Sequence, residues 1–206
     1  MVYKKYAIAL PAIGLLVCAL IFAFNLVSSE VWRFQSHAFL DYWAAEAKKK
    51  ASFAPKQEEW ELALSGADKA MDKMPMSPEL QVVKAKVLGW GLRKGFDTMN
   101  EQPELPAWQD AIIKRPGWPY SWSHYAQARA QRSLIDDEFE SALLRANQLG
   151  FWEKEVILNG VIMSKHYAGW VSDSLLHRLN NSIDRLEGRY PRLMQKINRQ
   201  YSDTEN

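Results

Sequence analysis

The residues best suited to chemistry in this chain are an acidic trio, Asp136-Asp137-Glu138, and four histidines at 37, 124, 166 and 177. Neighbouring carboxylates can hold a divalent cation or move a proton. The trio, however, opens an amphipathic stretch, where acidic side chains complement the partial positive charge of a helix N-terminus. That accounts for it without a metal. No two histidines stand at a paired spacing that would build a zinc helix. The sequence holds no nucleophile elbow, phosphate loop or dinucleotide glycine pattern. Gly89, Gly91 and Gly95 cluster, but they follow no strand and read as a close helix contact plus a helix C-cap. Glycan cleavage needs two carboxylates at a fixed separation, and no pair can be nominated. We therefore expect no enzyme, no cofactor and no metal.

Nine tryptophans call for an account. Indole rings stack on the apolar faces of sugars and offer an N–H as a polar handle. They also fill the space between helices, and Trp60, Trp118 and Trp152 recur at joints between helical segments. If those segments stack as repeats, the first helix of each pair lines a concave surface of the kind solenoids use for binding. The repeat phase puts Lys86, Trp90, Tyr120, Gln127, Gln131 and Lys165 on that surface, as a candidate partner-binding groove.

Proline and capping signals mark the elements that must position these residues. Apolar spacings of three and four predict helices over about 30–50, 57–73, 78–94, 106–114, 119–133, 136–149, 152–168, 172–186 and 190–201. Pro78 and Pro119 suit first helical positions, Ser77 and Ser172 suit N-caps, and Gly95 and Gly150 suit helix ends. Residues 97–106 read as a polar, proline-rich loop. Residues 202–206 read as a disordered tail. Trp32, Phe34 and Trp43 could form an aromatic belt beside a membrane or pack on the next helix; we assign Trp32 to the interface and Trp43 to the core.

Ahead of these helices, Ala7 to Val27 is an uncharged run of 21 residues that follows Lys4 and Lys5. At about 1.5 Å per residue it spans a hydrocarbon core of about 30 Å. Val27-Ser28-Ser29 also passes as a cleavage site, so both a retained anchor and a removed signal are open. The flanking charges favour a cytoplasmic N-terminus with the body on the far side. Cys18, the only cysteine, lies inside this run, which excludes a disulfide framework and a cysteine metal site. Val17 is too bulky for the lipoprotein pattern. A net charge of +2, from 26 basic and 24 acidic residues, gives no reason to expect nucleic acid as a partner. The expected organisation is a membrane anchor over 1–29, a helical-repeat domain over 30–201 and a tail over 202–206.

The repeat is read from offsets. Pro75 and Pro78 recur as Pro116 and Pro119, 41 residues on; Trp118 recurs as Trp152 and Ala126 as Gly160, 34 residues on. Thirty-four is the period of tetratricopeptide helix pairs. Ala63, Ala70 and Pro75 look like the small residues and closing proline of a second helix, and Trp122 and Ala126 like the aromatic and small residues of a first. Position 145, where a small residue is expected, is Arg145, with Ala146 one place on. The expected fold class is all-α: a transmembrane helix followed by a tetratricopeptide-like stack of antiparallel helix pairs. An irregular helical bundle is the alternative.

The stretches Lys114-Arg115-Pro116-Gly117-Trp118-Pro119-Tyr120-Ser121-Trp122, Asp137-Glu138-Phe139 and Ala146-Asn147-Gln148-Leu149-Gly150-Phe151-Trp152-Glu153 go further. They resemble the VpsP-type family of membrane-anchored helical-repeat accessory proteins in bacterial exopolysaccharide biosynthesis. The resemblance implies a bacterial inner-membrane protein with a periplasmic body. It also implies a non-enzymatic scaffold whose partner is a protein of the polysaccharide assembly machinery, or the polysaccharide itself. It carries over no catalytic residue.

Overall fold

The computed structural model describes residues 2–92, 95–96 and 103–202, with side chains placed from 11 to 199 within those ranges. The helices are α1 (Val2–Lys49), α2 (Gln57–Lys73), α3 (Pro78–Leu92), α4 (Glu104–Lys114), α5 (Pro119–Gln131), α6 (Asp137–Leu149), α7 (Lys154–His166), α8 (Asp173–Arg189) and α9 (Pro191–Ser202). No strand occurs among the described residues. The chain forms two compact units, Met1–Phe96 and Asp97–Asn206. The fold is all-helical, with helices packed in adjacent pairs and one long apolar helix at the N-terminus.

In the first unit, the anchor and the expected helix over 30–50 are one helix of 48 residues, so the boundary expected after residue 29 falls inside it. Between Gly14 and Lys49 there is no glycine or proline to break the helix. Ser28-Ser29 does not break it either, because the Ser29 hydroxyl is buried and donates to the Ala70 carbonyl at 3.1 Å. The helix is long and apolar enough to cross a membrane. Its upper half packs on α2, and α3 closes the unit against both. Fully buried Trp43 centres the core with Leu40, Ala63, Ala67, Val83 and Val87. Each large apolar side chain removed from water contributes roughly 1.5–3 kcal/mol. Alanines and Gly66 along α2 let the two backbones approach closely. Beyond α3, the Gly95 N–H donates to the Leu92 carbonyl and the Phe96 N–H to that of Gly91. With Gly95 at φ +70°, this is the glycine-terminated Schellman cap.

In the second unit, α5 packs on α4, α6 and α7; α6 packs on α8; and α7 packs on α8 and α9. From α5 to α7 each helix thus meets the next one and the one after it, as in a stack of helix pairs. Side-chain bonds bridge residues about one repeat apart: Asn159 to Ser123, 36 positions apart, Ser182 to Asn147, 35 apart, and Tyr120 to Glu153, 33 apart. The joints fix the register. The N–H groups of Met74, Arg115 and Gly150 donate to the carbonyls of Ala70, Ala111 and Ala146, and three residues on Ser77, Trp118 and Glu153 donate back to Met74, Arg115 and Gly150. The second offset is therefore 35, not 34. Ala146, not Arg145, is the buried small residue, Val161 rather than Gly160 matches Ala126, and the partner of Trp118 is Glu153.

Other boundaries shift for local reasons. Helix α7 begins at Lys154, because 150–153 are spent on the turn. Helix α4 begins at Glu104, since Pro106 is tolerated in a first turn whose N–H groups have no helical partner. Glu104, expected in a polar loop, is buried and holds Arg132 by two bonds of 2.7 Å. A fork of this kind offsets the desolvation of both charges. Ser202 belongs to α9; residues 203–206 and 97–102 lie outside the described residues.

Two glycines of α3 should respond to alanine with opposite signs. At Gly89 a Cβ meets nothing within 4 Å, whereas at Gly91 it comes within 2.8 Å of the Trp60 ring, whose Nε1 donates to the Val87 carbonyl. Gly89→Ala should raise stability by up to about 1 kcal/mol through helix propensity. Gly91→Ala should lower it, because overpacking costs about 1–3 kcal/mol against the same gain. Urea denaturation followed by tryptophan fluorescence would show both; a stabilising Gly91→Ala would contradict the contact.

Candidate functional site

Two joints of the second unit, α4–α5 and α6–α7, carry the stretches singled out in the sequence, and the fold brings them together. Gly150 sits so close to Pro119 that a Cβ there would lie 2.7 Å from the proline Cβ. Tyr120 donates its hydroxyl to Glu153 at 2.6 Å. Trp122, through Nε1, pins the first joint by donating to the Pro116 carbonyl at 2.8 Å. Around this seam the aromatic rings are open to solvent: Trp118 is 38% exposed, Phe151 43% and Trp152 62%. The expectation that Trp118 and Trp152 fill space between helix pairs is corrected here. They occupy turn positions that project from the joints.

The ledge is aromatic with charged edges. The Arg115 guanidinium lies over the Trp118 ring at 4.0 Å, Trp118 packs on Tyr120 at 5.3 Å, and Phe151 on Trp152 at 4.8 Å. Lys154 lies over Tyr190 at 4.8 Å and so extends the row to the next joint. Glu153, through its hydrogen bond and its charge, pushes the Tyr120 hydroxyl up to about 12. Exposed indoles beside a carboxylate and a guanidinium can stack on a sugar ring and bond its hydroxyls, or anchor an aromatic-binding peptide.

The acidic trio opens α6, and Asp136 and Glu138 are held by other residues. Asp136 is the N-cap of α6 and accepts from the Phe139 N–H at 3.0 Å. Its carboxyl is held below the usual range; burial opposes this, but the Phe139 N–H and the Arg129 guanidinium outweigh it. Arg129 also holds Glu138 at 2.6 Å, and Glu138 accepts from Tyr125. Gln109 on α4 donates to the Tyr125 hydroxyl at 2.8 Å, which joins three helices in one network. Among the described residues, no three histidine, cysteine or carboxylate side chains gather as a metal site. The sequence reading missed Arg129, whose partners lie seven and nine positions on, beyond a single helical turn.

The six groove residues divide between the units. On α3, half-buried Lys86 lies near enough to His37 of α1 to help hold the imidazole below its ordinary range, behind burial and Arg33. Trp90 is half-buried in the first unit's aromatic core, against Trp43 at 5.8 Å and Phe53 at 6.3 Å. On α5, Tyr120, Gln127 and Gln131 stand seven and four apart, on one face. Tyr120 belongs to the ledge, Gln127 lies beside His124, and Gln131 is exposed. Lys165 is half-buried in the last turn of α7.

Compared with known proteins, the chain matches no protein family and no curated protein.

The Tyr120–Glu153 bond has a titration signature. Of the chain's eight tyrosines, Tyr120 should ionise near 12, and Glu153→Ala should return it toward 10. A neutral phenol is what the fold favours, so the contribution is present below pH 10 and is lost as pH rises through about 12. Phenolate absorbance against pH, with Tyr120→Phe as reference, reads this; an unchanged late phase in Glu153→Ala would contradict the bond.

Proposed function

We propose that this chain is a non-enzymatic, membrane-anchored scaffold whose helix pairs hold a protein partner of a bacterial exopolysaccharide assembly machinery. In this reading it is a single-pass inner-membrane protein with a cytoplasmic N-terminus and a periplasmic body. The observation that carries the reading is α1, which runs unbroken from the apolar segment into the core of the first unit. A tether of this kind keeps the first unit at a fixed height above the bilayer and raises the chain's effective concentration at a membrane-bound partner. The VpsP-type resemblance supplies the pathway, and the α5 face with Gln127 and Gln131 supplies a docking surface.

A second reading has its own support. Exposed Trp118 and Trp152, flanked by Arg115 and Glu153, suit direct binding of the glycan chain.

A photo-crosslinking side chain at exposed Gln131 of the full-length protein would separate the readings. The scaffold predicts a crosslinked envelope protein that is absent when the probe is moved to Glu58. The glycan reading predicts tryptophan quenching by oligosaccharide that is lost in Trp118→Ala and Trp152→Ala. Neither crosslink nor quenching would contradict both.

A further inference from the structure

We propose that the α2–α3 joint, Met74-Pro75-Met76, is a second membrane contact, inserted beside the anchor at the boundary between headgroups and acyl chains. The inference rests on reading Ala7–Val27 as the span, and it deepens that reading.

The register of α1 against α2 places the joint. The helices run antiparallel, tied where Ser36 donates to the Ala63 carbonyl at 2.8 Å, where Lys69 lies over the Trp32 ring at 4.3 Å, and where Ser29 donates to Ala70 at 3.1 Å. One residue forward along α2 is one residue back along α1. Ala70 faces Ser29, so Lys73, which ends α2, is level with about residue 26. By that register the turn that follows is level with Phe24, Asn25 and Leu26, within the uncharged run that ends at Val27. At about 1.5 Å per residue its tip reaches roughly 3–5 Å below the edge of that run. Interfacial elements bury their apolar side to about 5–10 Å.

The chemistry of the joint agrees with its depth. Its three residues carry no charge, and the Ser77 N–H closes the turn on the Met74 carbonyl at 3.1 Å. Met76 is 78% exposed, and Phe24 and Val27 at the end of the run are exposed as well. An unbranched thioether adapts to disordered acyl chains. Charged groups begin at the rim: Asp72 and Lys73, Glu79 held by Ser77, Arg33 paired with Glu30, and Lys69 on Trp32. Tryptophan and lysine at that height suit the headgroup layer. Two contacts, anchor and joint, fix the tilt of the first unit where the anchor alone would leave it free.

The test uses the full chain with Cys18→Ser, in proteoliposomes, carrying one nitroxide at Met76→Cys, Leu20→Cys or Glu58→Cys. Collision with oxygen, which partitions into lipid, is compared with collision with a water-soluble nickel chelate. Label 76 should follow label 20, favouring oxygen several-fold more than label 58. If 76 matches 58 while 20 remains in lipid, the joint proposal falls and the span stands. If label 20 meets the chelate, the span fails and the proposal with it. If 76 is shielded from both probes, a protein surface covers the joint, and that also overturns the proposal.

Discussion

Two serine hydroxyls and one missing side chain hold the long helix to the body. Ser29 and Ser36 of α1 donate to the carbonyls of Ala70 and Ala63 on α2, and Gly66 lies between them. A Cβ at Gly66 would fall 2.8 Å from the Ser36 Oγ and 3.2 Å from the Trp32 carbonyl. Each bond contributes only about 1 kcal/mol net, yet together they fix how near the two backbones come and in which register. Trp43 can then be fully enclosed, with its Nε1 on Glu59, and α3 can seat Trp60 against Gly91. The register also sets the height of the α2–α3 joint relative to the apolar run.

One joint is used three times along the chain with different residues. Met74, Arg115 and Gly150 each close the preceding helix on a buried alanine, and each accepts a bond from the residue just before the next helix. A backbone pattern carries the repeat, so the side chains at the tip are free to vary: Met76, Gly117 and Trp152 hold the same place. Proline at the next position, as at 78 and 119, is replaced by Lys154 in the third copy without loss of the turn. Bonds between residues about one repeat apart then tie neighbouring pairs in the second unit.

Helix type, most helix positions and most caps were legible in the sequence because they depend on near neighbours, although the anchor and the helix expected over 30–50 are one. Ser172 caps α8, Gly95 ends α3, and Pro119 and Pro191 open their helices. What was not legible depends on partners far along the chain. Glu104 and Arg132, 28 positions apart, look like two solvated charges until the fold encloses both. Arg129 drew no reading from the sequence and is the centre of a network with Tyr125, Asp136 and Glu138. Trp118 and Trp152 suggested a period of 34 because they share a residue type, whereas the carbonyls that close the helices give 35. Of the six groove residues, the α5 stripe was legible as a face; the packing of Trp90 on Trp43 and Phe53 follows from tertiary contacts that periodicity does not encode.

The account stands on α1 being one rigid element from the apolar segment to Trp43. Hydrogen exchange of the full-length protein in detergent, resolved over residues 25–33 and compared with 37–45, measures that directly. Protection across 25–33 equal to that of the upper half, with no fast-exchanging amide near Ser28-Ser29, is the predicted result. Rapid exchange confined to 27–31 would mean a hinge between the anchor and the first unit, and a first unit held at fixed height would then be contradicted.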